Sequence, residues 1–148
     1  MGVEIERKFL VDKAKWETAR PKVGAKIIQG YILKTREKTV RIRVKGDSGF
    51  ITIKGQTKGV TRPEFEFPIP KSEAEEILNE FCPKRIIKIR YELMLDGFVW
   101  EIDEFESPKA GLILAEIELS NENQEFLKPD WLGKEVSNEP EYFNANMI

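Results

Sequence analysis

Near its N-terminus the chain reads VEIERKFL (residues 3–10), a stretch in which apolar and charged side chains alternate. Successive side chains of a β-strand point to opposite faces of the sheet, so Glu4, Glu6 and Lys8 would share one face and the apolar residues the other. The alternation therefore predicts a strand with one apolar face and one fully charged face. Most of the chain repeats this pattern, and its interpretation determines the predicted fold.

Seven further segments show the same period of two, and the turn residues between them favour antiparallel connections. The Asp96-Gly97 dipeptide, between Leu95 and Phe98, is the strongest hairpin signal in the chain. The eight predicted strands are Val3–Leu10, Lys26–Leu33, Thr39–Lys45, Phe50–Lys54, Thr61–Pro68, Arg85–Leu95, Phe98–Phe105 and Leu112–Ser120. Together with a few helices they predict an α+β fold in which an eight-stranded antiparallel sheet closes into a barrel.

Helix signals are fewer than strand signals. Asp12 can cap a helix over residues 13–19, and Ser72 with Glu75 forms a capping box for a helix that ends near Phe81. Two proline-initiated segments, 129–132 and 140–146, predict short terminal helices. Nothing in the sequence marks a linker, so we expect a single domain over residues 1–148.

The composition excludes several classes of site and partner. The chain has 148 residues with one cysteine and no histidine, which removes Ser-His-Asp and Cys-His catalysis and every zinc site that uses histidine. A bound metal would need oxygen ligands, which favours Mg²⁺ or Mn²⁺. The single cysteine excludes an internal disulfide and favours a cytoplasmic protein. The net charge of −2 argues against a nucleic-acid partner, and the absence of a long apolar run argues against a membrane span.

The charged faces are segregated by sign, with cations on some strands and carboxylates on others. An antiparallel sheet commonly turns such faces to solvent, but a solvated surface normally intersperses the two signs. Closing the sheet with these faces inward would bring six cations and eight carboxylates into one lumen. The cations are Lys8, Arg41, Arg43, Lys54, Lys88 and Arg90. The carboxylates are Glu4, Glu6, Glu64, Glu66, Glu101, Asp103, Glu116 and Glu118.

Such a lumen cannot be a dry core, because burying unpaired charges costs too much free energy. A wet tunnel could hold the set if its carboxylates bound divalent cations and its basic residues bound a polyanion such as triphosphate. Turn geometry supports this interpretation. A symmetric turn between the third and fourth predicted strands would place Arg41 opposite Lys54, and like charges in that position favour a bound anion. The Asp96-Gly97 turn would place Arg90 opposite Asp103, a complementary pair.

The segment Glu4-Ile5-Glu6-Arg7-Lys8 resembles the E-x-E-x-K signature of the CYTH superfamily, the triphosphate tunnel metalloenzymes. The resemblance continues in order along nearly the whole chain. Its further motifs are Gln29-Gly30-Tyr31, Arg41-Ile42-Arg43, Thr52-Ile53-Lys54-Gly55, Glu64-Phe65-Glu66, Lys88-Ile89-Arg90-Tyr91, Trp100-Glu101-Ile102-Asp103-Glu104-Phe105 and Ala115-Glu116-Ile117-Glu118-Leu119. It implies an eight-stranded antiparallel barrel around a charged tunnel, in agreement with the alternation of the strands.

The resemblance also implies roles for the charged residues. A water activated by the metal would attack the terminal phosphorus atom, and the lysine matching Lys88 would give a proton to the leaving group. One or two Mg²⁺ or Mn²⁺ ions would be held by the carboxylates matching Glu4, Glu6, Glu116 and Glu118, with Glu66 assisting at the second ion. The triphosphate would be bound by the residues matching Lys8, Arg41, Arg43, Lys54, Lys88 and Arg90. Supporting positions are Glu64, Glu101 and Asp103.

Within the superfamily, the compact chain most resembles the small bacterial inorganic tripolyphosphatases. Tyr31 resembles a tyrosine that narrows the tunnel in that group, although it could equally be an ordinary barrel residue. Residues 139–148 resemble the helix that closes one end of their tunnel. A closed end would favour tripolyphosphate, cleaved to pyrophosphate and phosphate, over a nucleotide.

Two alternatives stay open. The first is a class IV adenylate cyclase or a nucleoside or thiamine triphosphatase, although the sequence contains no evident nucleoside pocket. The second is a polyphosphate-binding module without catalysis, for which the complete carboxylate set would have no use. The expected partner is a small-molecule triphosphate. The apolar barrel exterior favours a homodimer, although no motif specifies one.

Overall fold

The computed structural model describes residues 2–148 and consists of an antiparallel barrel with two α-helices. Its strands are β1 (Val3–Val11), β2 (Ala25–Lys34), β3 (Lys38–Lys45), β4 (Ser48–Gly55), β5 (Thr61–Ile69), β6 (Ile86–Leu95), β7 (Phe98–Ser107), β8 (Ile113–Glu118) and β9 (Leu132–Glu135). Its helices are α1 (Lys13–Ala19) and α2 (Lys71–Phe81), followed near the C-terminus by two 3₁₀ turns, Pro140–Tyr142 and Asn144–Asn146.

Eight of the strands close the barrel in the order β5-β4-β3-β2-β6-β7-β8-β1, and β1 returns to β5. The closing contact is short, with Val3, Glu4 and Ile5 opposite residues 61–63. The eight-stranded antiparallel barrel predicted from the sequence is therefore confirmed. The sequence did not predict β9, which pairs with the C-terminal half of β1 on the edge that β5 leaves free.

The helix predictions had mixed success. Helix α1 has its predicted bounds, and the Asp12 carboxylate accepts a hydrogen bond from the backbone N–H of Lys15 at 3.1 Å. The capping box was wrong: α2 begins at Lys71 after Pro70, so Ser72 lies within the first turn and no side chain caps the helix. The helix predicted over residues 129–132 was also wrong, because this segment is a turn that leads into β9. Residues 140–146 form 3₁₀ turns and no α-helix.

The two hairpin predictions differ in outcome because the two turns differ. Asp96 and Gly97 both have positive φ, at 52° and 80°, which fits the tight two-residue turn expected for this dipeptide, and Arg90 lies opposite Asp103 as predicted. Strands β3 and β4 also join through a two-residue turn, which begins at Gly46 and pairs Lys45 with Ser48. The pairing is therefore shifted by two residues from the prediction. Arg41 lies opposite Thr52 and not opposite Lys54.

The apolar faces of the strands point out of the barrel, where the helices and the C-terminal segments cover them. Trp16 of α1 packs with Trp100, Trp131 and Phe9 in one buried cluster. Helix α2 packs against β3 and β4 through a second cluster that includes Ile42 and Leu78. The main apolar cores thus lie outside the barrel, which leaves the lumen to the charged faces. Neither of the α-helices in residues 2–148 is long and apolar enough to cross a membrane.

One end of the barrel has an apolar floor. Ile86, Phe105 and Leu114, each two positions beyond an inward charged residue, form a buried cluster with Val136 and Met147 of the C-terminal segment. Because side chains two apart on a strand share a face, these residues continue the inward faces of β6, β7 and β8. The charged lumen therefore ends on a hydrophobic layer at this side.

Candidate active site in the barrel lumen

The barrel encloses a cavity of about 890 Å³. Of the fifteen residues predicted for the site, fourteen line it: Glu4, Glu6, Lys8, Tyr31, Arg41, Arg43, Lys54, Glu64, Glu66, Lys88, Arg90, Glu101, Glu116 and Glu118. The exception is Asp103, which the alternation placed in the lumen. Its short side chain is only 1% exposed and lies beneath the longer side chains of Lys88 and Arg90, which bind it from the lumen side.

The wall formed by Lys88, Arg90, Glu101 and Asp103, called here the β6–β7 wall, has its charges paired. Asp103 accepts two hydrogen bonds from Arg90, at 2.8 and 2.9 Å, and lies 2.8 Å from the Lys88 ammonium. Glu101 lies 3.1 Å from the third guanidinium nitrogen of Arg90, Nη1. Burial alone would raise the pKa of Asp103, but Arg90 and Lys88 outweigh it and lower the pKa to about 2.

Lys88 is the most deeply buried cation of this wall. Its side chain is 2% exposed, and burial lowers its pKa to about 8, against the opposing pull of Asp103. A lysine with a pKa in this range holds its proton at neutral pH and releases it more readily than an exposed lysine does. This environment is suited to a proton donor.

The opposite wall, formed by Arg41, Arg43, Thr52 and Glu66 and called here the β3–β5 wall, is incompletely paired. The two arginines share a single carboxylate, Glu66, at 3.4 and 3.2 Å, and the Thr52 hydroxyl donates to the same oxygen at 2.7 Å. The Nε atoms of both arginines are buried and have no hydrogen-bond acceptor within residues 2–148. Burial, together with the neighbouring cations, lowers the pKa of Arg43 to about 10.

The carboxylates of β1 and β8 meet along the seam between these strands, where Glu6 pairs with Glu118 and Lys8 pairs with Glu116. Burial and the adjacent Glu116 raise the pKa of Glu6 well above its usual value. Burial would also raise the pKa of Glu116, but the attraction of Lys8 and the hydrogen bond with Glu6 lower it. The opposite directions of the two pKa shifts reflect a hydrogen bond between the Glu6 and Glu116 carboxyl groups.

A second carboxylate pair lies across the seam between β1 and β5. Glu4 binds Lys54 at 3.1 Å and Arg62 at 3.0 Å, and these cations outweigh burial to lower its pKa to about 2. Burial and a hydrogen bond with Glu4 raise the pKa of Glu64 to about 7. Lys54 also binds Glu64 at 3.2 Å, so one lysine holds both carboxyl groups together.

This donor set fits a hard divalent cation. The groups on β1 and β8 are carboxyl groups, the ligands that Mg²⁺ and Mn²⁺ prefer, and the strand register brings them together along one seam. A divalent ion bound here would favour the deprotonated form of these carboxyl groups. Within residues 2–148, no group of three or more acidic or thiol side chains is already arranged around a single ion.

Sequence reasoning did not identify the individual lumen contacts of the C-terminal segment. The Lys8 ammonium donates to the backbone carbonyl of Tyr142 at 3.0 Å, and Asn144 Oδ1 accepts from Lys88 at 2.9 Å and from Gln29 at 3.2 Å. Phe143 lies 5.8 Å from the Lys8 ammonium. The sequence carries no periodic signal in this segment, and only its resemblance to an end-closing helix pointed to the lumen.

Tyr31 and Arg62 complete the lining. Tyr31 lies opposite Arg41 in the β2–β3 ladder and packs against the apolar floor while also lining the cavity. It is therefore both a barrel residue and part of the lumen wall. Arg62 was not predicted, although it lies two positions before Glu64 and so shares the inward face of β5, where it binds Glu4.

A family model described as the CYTH domain matches residues 2–147. The chain is 46% identical over 149 residues to a protein of Acetivibrio thermocellus named inorganic triphosphatase, and the match covers 100% of this chain and 94% of the relative. It is 33% identical over 145 residues to a protein of the same name from Nitrosomonas europaea, covering 95% of this chain and 93% of that protein. The solved structure of an inorganic triphosphatase superposes with a TM-score of 0.66 at 31% identity, covering 97% of this chain and 96% of that one.

Proposed function

The chain belongs to the CYTH domain family, and on that premise we propose that it is an inorganic triphosphatase that hydrolyses tripolyphosphate to pyrophosphate and phosphate within its lumen. The observation that carries the proposal is the incomplete pairing of Arg41 and Arg43. Two buried guanidinium groups share one carboxylate, and each keeps an N–H without an acceptor. Buried donors of this kind need partners, and a polyphosphate that enters the lumen supplies several anionic oxygens at once.

The binding roles follow from the position of each cation. Arg41, Arg43 and Lys54 would bind phosphate oxygens from the β3–β4 side, and Lys8 and Arg90 would bind them from the opposite side. Binding would exchange ion pairs within the protein for ion pairs with the substrate, because most of these cations already have a carboxylate neighbour. A preorganised set of positive charges neutralises the charge that phosphoryl transfer develops.

Glu4, Glu6, Glu116 and Glu118 would hold one or two Mg²⁺ or Mn²⁺ ions, with Glu66 assisting. When bound there, the ions would withdraw charge from the phosphates and make an attacking water more acidic. As this water bonds to the terminal phosphorus atom, it loses a proton to solvent in the lumen, the bond from that phosphorus to the bridging oxygen breaks, and Lys88 gives a proton to the bridging oxygen. Glu64, Glu101 and Asp103 act by holding the cations in place.

The apolar floor at one end of the barrel favours a short linear substrate over one with a bulky group. The cavity wall includes Phe143 and Asn144 of the C-terminal segment, and the neighbouring Tyr142 and Met147 pack in the apolar floor. This arrangement leaves little room at that end for a nucleoside or a thiamine group. We therefore favour tripolyphosphate over ATP and thiamine triphosphate.

The test measures phosphate release from tripolyphosphate, ATP and thiamine triphosphate with Mg²⁺ or Mn²⁺, each with and without a chelator. Glu4→Gln removes a proposed metal ligand, and Glu92→Gln is a matched control because Glu92 pairs with Lys45 outside the cavity. We expect fast turnover of tripolyphosphate that the chelator and Glu4→Gln abolish and Glu92→Gln preserves. Formation of cyclic AMP from ATP, or tight tripolyphosphate binding without turnover, would overturn the proposal.

A further inference from the structure

The Lys88 ammonium is held from two directions by groups on different parts of the chain. Asp103 Oδ2 of β7 lies 2.8 Å from Nζ, and Asn144 Oδ1 of the second 3₁₀ turn lies 2.9 Å from it. An ammonium group has three N–H donors and no acceptor. Two of these donors are therefore committed to the protein, and one is left for a group in the lumen that Lys88 lines.

The charge on Lys88 determines the orientation of the Asn144 amide. Because an ammonium can only donate, Asn144 must turn its oxygen toward Lys88. The same oxygen accepts a second hydrogen bond from Gln29 Nε2 at 3.2 Å, which leaves Gln29 Oε1 buried without a partner within residues 2–148. Reversing the Gln29 amide would bring two acceptor oxygens together. The hydrogen bonds that join Lys88, Asn144 and Gln29 therefore fix the orientation of both amides. This arrangement is kept although Gln29 Oε1 has no hydrogen-bond partner within residues 2–148.

We propose that Asn144 is a positioning residue for the proton-donating Lys88: it fixes the ammonium from the C-terminal side so that the remaining N–H points to the substrate. The role rests on the proposed function, in which Lys88 protonates the leaving oxygen. A neutral amide suits this task. The charged groups that face Lys88 are Asp103, Arg90 and Glu116, and a second carboxylate bonded to Nζ would hold the proton more tightly.

The C-terminal segment has anchors other than the Asn144 side chain, which allows the role to be tested. Met147 is buried in the apolar floor. The backbone carbonyl of Tyr142 accepts a hydrogen bond from Lys8, and that of Ala145 accepts one from Lys34. Asn146, on the same 3₁₀ turn, donates from Nδ2 to the Pro140 carbonyl at 2.8 Å and has no hydrogen bond with Lys88. Asn146→Ala is therefore a matched control for the folding of the segment.

The experiment compares full-length wild-type protein with Asn144→Ala, Asn144→Asp and Asn146→Ala in tripolyphosphate hydrolysis with the preferred metal, together with melting temperatures. We expect Asn144→Ala to lower kcat by about 10- to 100-fold while KM changes by less than about 3-fold, because the acid is misdirected and the phosphate contacts remain. Asn144→Asp keeps the oxygen but adds charge, so the alkaline limb of its kcat–pH profile should move to higher pH. Asn146→Ala should reduce kcat much less than Asn144→Ala does.

Equal losses of kcat in Asn144→Ala and Asn146→Ala would overturn the positioning role, as would a change confined to KM. If Asn144→Ala does not fold, Asn144→Asp decides: an unshifted alkaline limb contradicts the role, and a shifted limb supports it. An inactive wild-type protein would overturn the proposed function and this role with it. An active wild-type protein with insensitive Asn144 variants would overturn the role alone.

Discussion

The two walls of the lumen carry similar charged residues but differ in how completely those residues are paired. On the β6–β7 wall, the buried Asp103 binds both Lys88 and Arg90 at 2.8 Å. On the β3–β5 wall, Arg41 and Arg43 share one partly exposed carboxylate, Glu66, at longer distances. The charges of the first wall are paired within the protein, whereas the second wall keeps buried N–H groups that the proposed triphosphate would occupy. Stability and ligand binding should therefore depend on different walls.

Removing Asp103 should give the largest effect on stability. Asp103→Ala leaves Lys88 and Arg90 buried without their shared partner, and breaking a buried ion pair in this way costs about 3–5 kcal/mol. Urea unfolding would measure the loss. Glu66→Ala on the other wall should cost about 1 kcal/mol or less, because its side chain is 32% exposed and its ion pairs are screened. Similar losses in both variants would contradict the distinction between the walls.

Removing a cation from the β3–β5 wall should separate activity from stability. Arg43→Met should lower kcat/KM by about 100-fold and abolish the rise in melting temperature on adding tripolyphosphate without metal. Burial and repulsion from Arg41 and Arg90 oppose the charge of Arg43 in the folded protein, so the variant without ligand should be as stable as the wild type or more stable.

Lys45→Met removes the same charge from the same strand, but outside the cavity, and serves as the control for the Arg43 variant. Its melting temperature should still rise with tripolyphosphate. A stability loss of several kcal/mol in Arg43→Met would show that this wall is as structural as the other.

Acid should weaken the β6–β7 wall in a defined range of pH. The pKa of Asp103 is lowered from 3.8 to about 2 in the folded protein, so the unfolded chain takes up this proton first as the pH falls. The stabilisation that Asp103 contributes above pH 4 is then lost between about pH 4 and pH 2, on the order of 2 kcal/mol. Carboxyl ¹³C NMR would follow the titration. Asp103 should remain ionised at pH 3, and a titration midpoint near 4 would contradict its pairing.

The faces of the strands could be predicted from the sequence because the period of two is a local property. That is why all but one of the predicted site residues line the cavity. Asp103 does not line the cavity because its side chain is shorter than those of Lys88 and Arg90, which bind it. The alternation predicts the face of a residue but not how far its side chain reaches. The β6–β7 pairing was predictable because the Asp96-Gly97 turn fixes its register, whereas the β3–β4 pairing was wrong by two residues because the turn begins at Gly46.

The C-terminal contributions to the site could not be predicted from local patterns. Asn144 meets Lys88 across 56 positions of sequence, and it lies on a 3₁₀ turn without an amphipathic repeat. Strand β9 is only four residues long and forms on the free edge of β1. Both depend on where the closed barrel leaves an open end or an unpaired edge, which is a property of the whole fold.

The smallest expected effect comes from the second carboxylate of the β6–β7 wall. Glu101→Gln keeps an oxygen that can accept from Arg90, and Arg90 retains its two bonds to Asp103. Burial already raises the pKa of Glu101, so its charged form is disfavoured in the folded protein and a neutral amide loses little. We expect a change of less than about 1 kcal/mol in the free energy of unfolding. A loss comparable to that of Asp103→Ala would mean that the pairing of this wall is shared between both carboxylates, and Asp103 could then no longer be regarded as its single anchor.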